Sequence, residues 1–193
     1  MADSHFFSSM VSDSRYAALR ATDFTVTPSW DQRNWVDAVR FHRFAAGMPN
    51  LRIQQVDADA TLNDWQHVHN LIIPTDPLSR DEVRERARRN HLEVAYLGDT
   101  LVGCTTVRPP TGDEAVATVI VRVLPTHRRQ GYGLQLYARG LEQARASGAG
   151  AIETVVLASN GDGLQFALAH GFVEVDRYLL PGNTTPYVDL RLS

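Results

Sequence analysis

From Leu51 to Val56, apolar and polar side chains alternate for most of the length, as in a half-buried strand. Leu62, Trp65, Val68 and Ile72 then recur at helical spacing, with a cap placed at Thr61–Asp64, and Pro74 ends the pattern. Ser79-Arg80-Asp81-Glu82 has the S-x-x-E form of a capping box, flanked by Leu78 and Val83 as a hydrophobic staple, so a second helix is predicted to about Arg89. Leu92–Leu97 and Leu101–Val107 read as strands joined at Gly98-Asp99, and Pro109 to Glu114 as a loop. The run 115–124 is almost wholly apolar, a long central strand closed by Pro125. A helix follows over 130–147, with Leu134, Tyr137, Leu141 and Ala144 on one face. Ala151–Leu157 suits a strand buried on both faces. A short helix over 161–170 ends at Gly171, and strands Phe172–Leu179 and Tyr187–Leu192 close the chain around a Pro181-Gly182-Asn183 loop.

Residues 1–28 show no period and read as a loose arm. Ser29-Trp30-Asp31-Gln32 has capping-box spacing, and a helix over 30–46 is predicted before Gly47 and Pro49. The chain therefore divides into an extension, 1–50, and one α/β domain, 51–193. Trp30, Trp35, Phe41 and Phe44 in the extension offer a contact for a second copy, so a homodimer is one expectation.

Charge and composition narrow the classes. A net charge of -3 argues against a general nucleic-acid binder. No stretch approaches the ~20 apolar residues of a membrane span, and the first residues do not resemble a signal peptide. The single cysteine, Cys104, cannot form an internal disulfide and reads as a small core residue, which fits a cytoplasmic protein. All 19 Lys+Arg residues are arginine, which removes any Walker A or Schiff-base lysine from consideration.

The chemistry concentrates in His127-Arg128-Arg129-Gln130-Gly131-Tyr132-Gly133, between the central strand and the long helix. Two glycines two apart let the backbone turn sharply, so that several N–H groups converge at a helix N-terminus, a common seat for phosphate. Arg128 and Arg129 add positive charge. This segment resembles the R/Q-x-x-G-x-G/A acetyl-CoA motif of the GCN5-related N-acetyltransferases (GNAT). Asn160, Phe166, Gly171 and Phe172 lie at the spacing of that family's N-x-x-A-x-x-L/F-Y-x-x-x-G-F segment. The likeness covers about Leu51 to Leu192.

The resemblance implies a central mixed, mostly antiparallel sheet flanked by helices and splayed between strands 4 and 5. It implies acetyl-CoA as acyl donor, with its pyrophosphate on the amides of Arg129, Gly131, Tyr132, Gly133 and Leu134. Arg128 and Arg129 would meet its phosphates, and the backbone of Val121 and Val123 its pantetheine arm. Asn160 would bind the cofactor through its amide or cap its helix, and both readings stand. The reaction would be direct attack by a primary amine of a small molecule or peptide, with a central-strand N–H near Val121 stabilising the oxyanion.

Two departures affect the catalytic residues. The family's tyrosine is replaced by Ala167, and its small residue by Gly163. Ser159, His170 and Tyr178 are substitutes for the missing acid, Tyr178 first. Glu153, or Asp113 and Glu114, could take the amine proton through water. His67, His69 and Asp76 fall where the family builds one wall of its acceptor pocket, or on the surface; as a zinc pair, H-x-H supplies too few ligands. Ala167 and a central strand without a carboxylate keep a second reading open, a non-catalytic acyl-CoA binding or sensing module.

Overall fold

The computed structural model describes residues 51–193. The helix predicted over 30–46, and the dimer contact built on it, lie outside the described residues. Among the described residues the order is β1 (Arg52–Gln55), α1 (Asp59–Ile72), α2 (Arg80–Arg89), β2 (His91–Leu97), β3 (Thr100–Thr111), β4 (Val116–Val123), α3 (Tyr132–Ala146), β5 (Ala151–Leu157), α4 (Gly161–Ala169), β6 (Phe172–Tyr178) and β7 (Tyr187–Leu192). This is the predicted order. A single 3-10 turn, Pro125–His127, separates β4 from the glycine turn.

The seven strands form one mixed sheet in the order β1-β2-β3-β4-β5-β7-β6. All neighbours are antiparallel except β4 and β5, which run parallel. The parallel pair holds over Val116↔Ala151, Ala117↔Ile152 and Thr118↔Glu153 only, although both strands continue beyond it. The sheet therefore splays between its fourth and fifth strands.

Local signals account for most boundaries. The capping box forms as read: Ser79 N–H donates to Glu82 Oε2 at 2.7 Å and Glu82 N–H to Ser79 Oγ at 3.3 Å. The staple pair Leu78 and Val83 is buried with Trp65, Val68, Leu92, Val94 and Cys104 under α1 and α2. Most boundaries shift by one or two residues, and two of the differences have a clear physical reason. α1 begins at Asp59, and Thr61 Oγ1 accepts from the Ala58 N–H at 3.3 Å, so Thr61 closes the first turn from inside rather than capping it. β3 runs through Pro109 and Pro110 to Thr111, where a loop was expected. The ladder with β4 shifts register between Arg108 and Thr111, and a bulge is a place where a residue without an N–H costs no ladder bond.

α3 packs on the opposite face, over β3 and β4. Its buried stripe is Tyr132, Leu136, Tyr137, Gly140, Leu141 and Ala144. Leu134, expected in that stripe, is only partly buried, and Leu136 takes the core position. Gly140 sets the approach of helix to sheet: a Cβ there would lie 2.5 Å from Val119 Cγ1.

Candidate active site

β4 delivers the chain to the turn with its open edge exposed to the splay. Leu124 N–H donates to Val102 O at 2.9 Å, and partners alternate in an antiparallel ladder. Even-numbered residues of β4 thus bond to β3, and the backbone groups of Val121 and Val123 turn toward the side from which β5 has parted. Val123 O accepts from Arg128 Nε at 3.2 Å, which fits that direction.

The turn itself takes two left-handed residues. Gly131 has φ 82°, as the glycine reading requires, but Arg129 also has φ 60°, an uncommon state for a residue with a Cβ. Alternating hand along a short segment points successive N–H groups into one concavity. Arg128 N–H reaches Pro125 O at 3.3 Å and Leu134 N–H reaches Gly131 O at 3.1 Å. Between them, the N–H groups of Arg129, Gln130, Gly131, Tyr132 and Gly133 have no acceptor among the described residues. Leu134, expected to offer its amide, spends it within the helix.

Gly133 does not serve close packing. A Cβ there would make ordinary contacts, 3.7 Å from Val123 Cγ2 and 3.8 Å from Phe166 Cε2, and would point between β4 and α4. Tyr132 has a buried ring packed with Leu51, Ala95, Val102 and Leu136, so only its backbone is offered to a ligand. Arg128 spans the mouth of the splay: Nε is on β4, and Nη1 lies 3.3 Å from Asp162 at the start of α4. Arg129 is exposed, and its side chain has no partner among the described residues.

Asn160 caps α4, accepting from Gly163 N–H at 3.2 Å through Oδ1. Its Nδ2 has no acceptor among the described residues. A Cβ at Gly163 would meet Nδ2 at 2.6 Å and Val156 Cγ1 at 3.1 Å, so glycine suits this tight cap better than the alanine of the motif. Ala167 is buried in the core beside Phe172 and Ile152. Ser159 is exposed between β5 and α4.

Glu153 is 4% exposed and accepts from Arg191 at 3.0 Å (Nε) and 2.8 Å (Nη2), while Arg191 Nη1 also reaches Glu114 at 2.9 Å. Tyr178 ends β6 and stacks on Tyr187, ring centroids 5.9 Å apart. Tyr187 was missed in the sequence. It opens β7, contacts Thr75 in the α1–α2 loop and lies near Asp76, Arg122 and Arg86. Burial first, then the Asp76 charge, pushes its phenol above the usual tyrosine range.

Of the two histidines expected on an acceptor wall, the first is exposed and the second is not. His67 faces solvent, whereas His69 is 2% exposed and stacks on Trp65 at 5.2 Å. His69 Nε2 lies 3.1 Å from Asp76 O, a geometry that places the proton on Nε2. Burial, reinforced by Arg122, pushes its pKa down to about 3, so the ring is neutral at pH 7. Cys104 is fully buried, and burial raises its thiol to about 11, which leaves it a core residue.

Comparison with known proteins gives the family and the fold. The model of the acetyltransferase (GNAT) family matches residues 56–172. No curated protein matches the sequence. Among solved structures, the Salmonella typhimurium protein yncA with its cofactor acetyl-CoA superposes with a TM-score of 0.60 at 16% identity, over 74% of this chain and 92% of that one. A Bacillus subtilis acetyltransferase in complex with CoA gives 0.57 at 23%, over 74% and 98%. The Escherichia coli ribosomal-protein-S18-alanine N-acetyltransferase gives 0.59 at 17%, over 74% and 93%. The chain belongs to the GNAT acetyltransferase family, and by that membership it is an acyltransferase whose donor is acetyl-CoA.

Proposed function

We propose that this protein moves an acetyl group from acetyl-CoA to a primary amine by direct attack within a ternary complex. The observation that carries the reading is the run of five amides, Arg129 to Gly133, without acceptors at the end of a strand whose neighbour has parted from it. Unsatisfied donors converging beside arginines suit a pyrophosphate, and the free edge at Val121 and Val123 suits an extended amide-bearing arm. Arg129, Gly131, Tyr132 and Gly133 would hold the phosphates through backbone. Arg129 adds its side chain, Arg128 steadies the mouth, and Asn160 offers Nδ2. The bound coenzyme supplies a thioester carbonyl, which a neutral amine attacks, and a thiolate leaving group.

The protein's own groups then have defined tasks. The backbone N–H of Val121, turned toward the splay, would stabilise developing negative charge on the carbonyl oxygen. A thiol of pKa about 8.5 leaves tolerably near neutral pH without an acid, which is consistent with Ala167 in place of a tyrosine. Where a proton is supplied, we assign it to the Tyr178–Tyr187 pair. Burial keeps the Tyr187 phenol protonated at neutral pH, and it faces the groups between α1 and α2. Glu153, committed to Arg191, is a base only through water. The small-molecule or peptide acceptor enters from the α1–α2 side, and a cytoplasmic setting fits the lone buried thiol.

The test is an acetyl-CoA consumption screen over amine classes, with Tyr187→Phe and Tyr178→Phe beside the wild type. Amine-dependent release of free thiol is expected, with kcat lowered about tenfold or more in one tyrosine variant. Coenzyme binding without turnover on any amine would favour a sensing module instead.

A further inference from the structure

The face of the sheet under α1 and α2 gathers three arginines, Arg86, Arg108 and Arg122, that no ion pair neutralises among the described residues. Arg122 lies opposite Cys104 in the β3–β4 ladder, and Cys104, Thr106 and Arg108 share one face of β3 by alternation. The Arg122 guanidinium lies 5.8 Å over the Trp65 ring, and its Nη1 is fully buried with no hydrogen-bond partner among the described residues. Arg86 reaches the same region from α2, close enough to act electrostatically on Arg122, His69 and Tyr187. Among the described residues, none of Arg86, Arg108 and Arg122 forms an ion pair. The acidic groups that act on Arg86 are Asp76 and Glu82, and Glu82 is already spent on the Ser79 capping box. The groups acting most strongly on Arg122 are Cys104, Arg108 and Tyr187, none of them a carboxylate.

A guanidinium held in this way is costly, because the mutual repulsion of cations adds to lost hydration. Both effects are visible: burial first, then neighbouring arginines, lowers Arg86 to about 10 and depresses Arg122 in the same direction. A buried charged donor without a partner calls for an explanation, and an anionic ligand that completes it is one. Arg122 also directly follows Val121, whose backbone faces the proposed reacting carbonyl. An anion on Arg122 would thus sit on the α1–α2 face of the same strand whose edge faces that carbonyl.

We infer that the acceptor is a small amine carrying a compact oxyanion, a carboxylate or a phosphate, which seats on Arg122 with Arg86 and Arg108 around it. This rests on the acetyl-transfer reading above and narrows its substrate class. A peptide amine lacking a nearby acidic group would leave the buried Nη1 unpaired. A small oxyanion fills it and offsets the charge of the cluster.

The experiment uses the full chain saturated with acetyl-CoA for rates, or with CoA for binding. Two matched acceptor pairs are compared: α-amino acids against their α-carboxamides, and phosphoethanolamine against ethanolamine. Turnover and calorimetric binding are measured on the wild type, Arg122→Gln and Arg122→Lys. CoA affinity and thermal melting are recorded for each, so that a folding defect is separated from a binding one. A charge-assisted hydrogen bond predicts a preference of about 10- to 100-fold for the anionic member of at least one pair, and which pair responds tells carboxylate from phosphate. Arg122→Gln should collapse that ratio to about threefold or less, with Arg122→Lys between the two. If Arg122→Gln fails to fold, Arg86→Gln and Arg108→Gln should each lower the same ratio. Neutral members turned over as well as anionic ones, anionic members not bound, or a preference that survives in every arginine variant would each overturn the inference while leaving acetyl transfer intact. Loss of CoA binding in the wild type would instead remove the acetyl-transfer reading itself.

Discussion

Single residues decide whether the turn can exist at all. Gly131 at φ 82° occupies a conformation that a Cβ disfavours by about 1–2 kcal/mol. Gly131→Ala should therefore lower unfolding free energy by about that amount, measured by urea titration; no loss would mean the turn relaxes to another hand. The two glycines of the motif were legible as a pair, because spacing is local. Their division of labour was not. Gly131 answers to backbone hand, whereas the Cβ direction of Gly133 opens between Val123 and Phe166. Nor could the sequence reveal that Arg129 shares the left-handed state or that Leu134 spends its amide inside the helix. Those are outcomes of the turn's three-dimensional closure, not of residue type.

At the scale of elements, the order of strands and helices was readable because each segment carries its own period, cap or staple. What escaped lies between elements. Gly140 permits α3 to lie against Val119, so Gly140→Ala should destabilise the fold by about 1–3 kcal/mol despite the better helix propensity of alanine. An unchanged melting temperature would show that the helix can shift outward. Glu93, 2% exposed in β2, is held by Arg139 of α3 at 2.7 and 2.8 Å, with His91 at 3.1 Å and Gln143 at 2.9 Å. Arg139→Ala strips the main counter-charge from a buried carboxylate and should cost about 3 kcal/mol in a chemical denaturation experiment. A loss below about 0.5 kcal/mol would place this pair with ordinary surface bridges. The two partners lie 46 residues apart, on a strand and a helix that separately read as unremarkable.

For the whole molecule, burial of charge and of neutral histidine ties stability to pH. His69 in the unfolded chain titrates near 6.5, but in the fold only near 3. The unfolded state therefore binds a proton that the native state refuses throughout that window. The contribution is complete above about 6.5 and is lost as pH falls toward 3, at up to about 1.4 kcal/mol per pH unit. Denaturation midpoints between pH 7.5 and 5 should fall for the wild type and fall less steeply for His69→Gln; parallel curves would show that other groups dominate. The convergence of His69, Asp76, Arg86, Arg122 and Tyr187 on one side of the splay has the same origin. Five residues drawn from α1, its loop, α2, β4 and β7 share no spacing in sequence, so only the folded sheet brings them together. Of the wall expected from His67, His69 and Asp76, the structure buries His69 against Asp76 O and leaves His67 in solvent, and the arginines beside His69 had no signal in sequence spacing.

The central claim is that the amides from Arg129 to Gly133, at the edge of the parted strands, form the seat of the coenzyme's phosphates. Gly133→Asp tests it most directly, because a Cβ there makes only ordinary contacts with Val123 and Phe166 and no positive φ opposes it. Titration calorimetry of acetyl-CoA should show affinity at least about tenfold weaker than wild type, as expected for a carboxylate set beside a diphosphate, with the thermal melt little changed. Wild-type affinity in a folded Gly133→Asp variant would contradict the assignment of that turn.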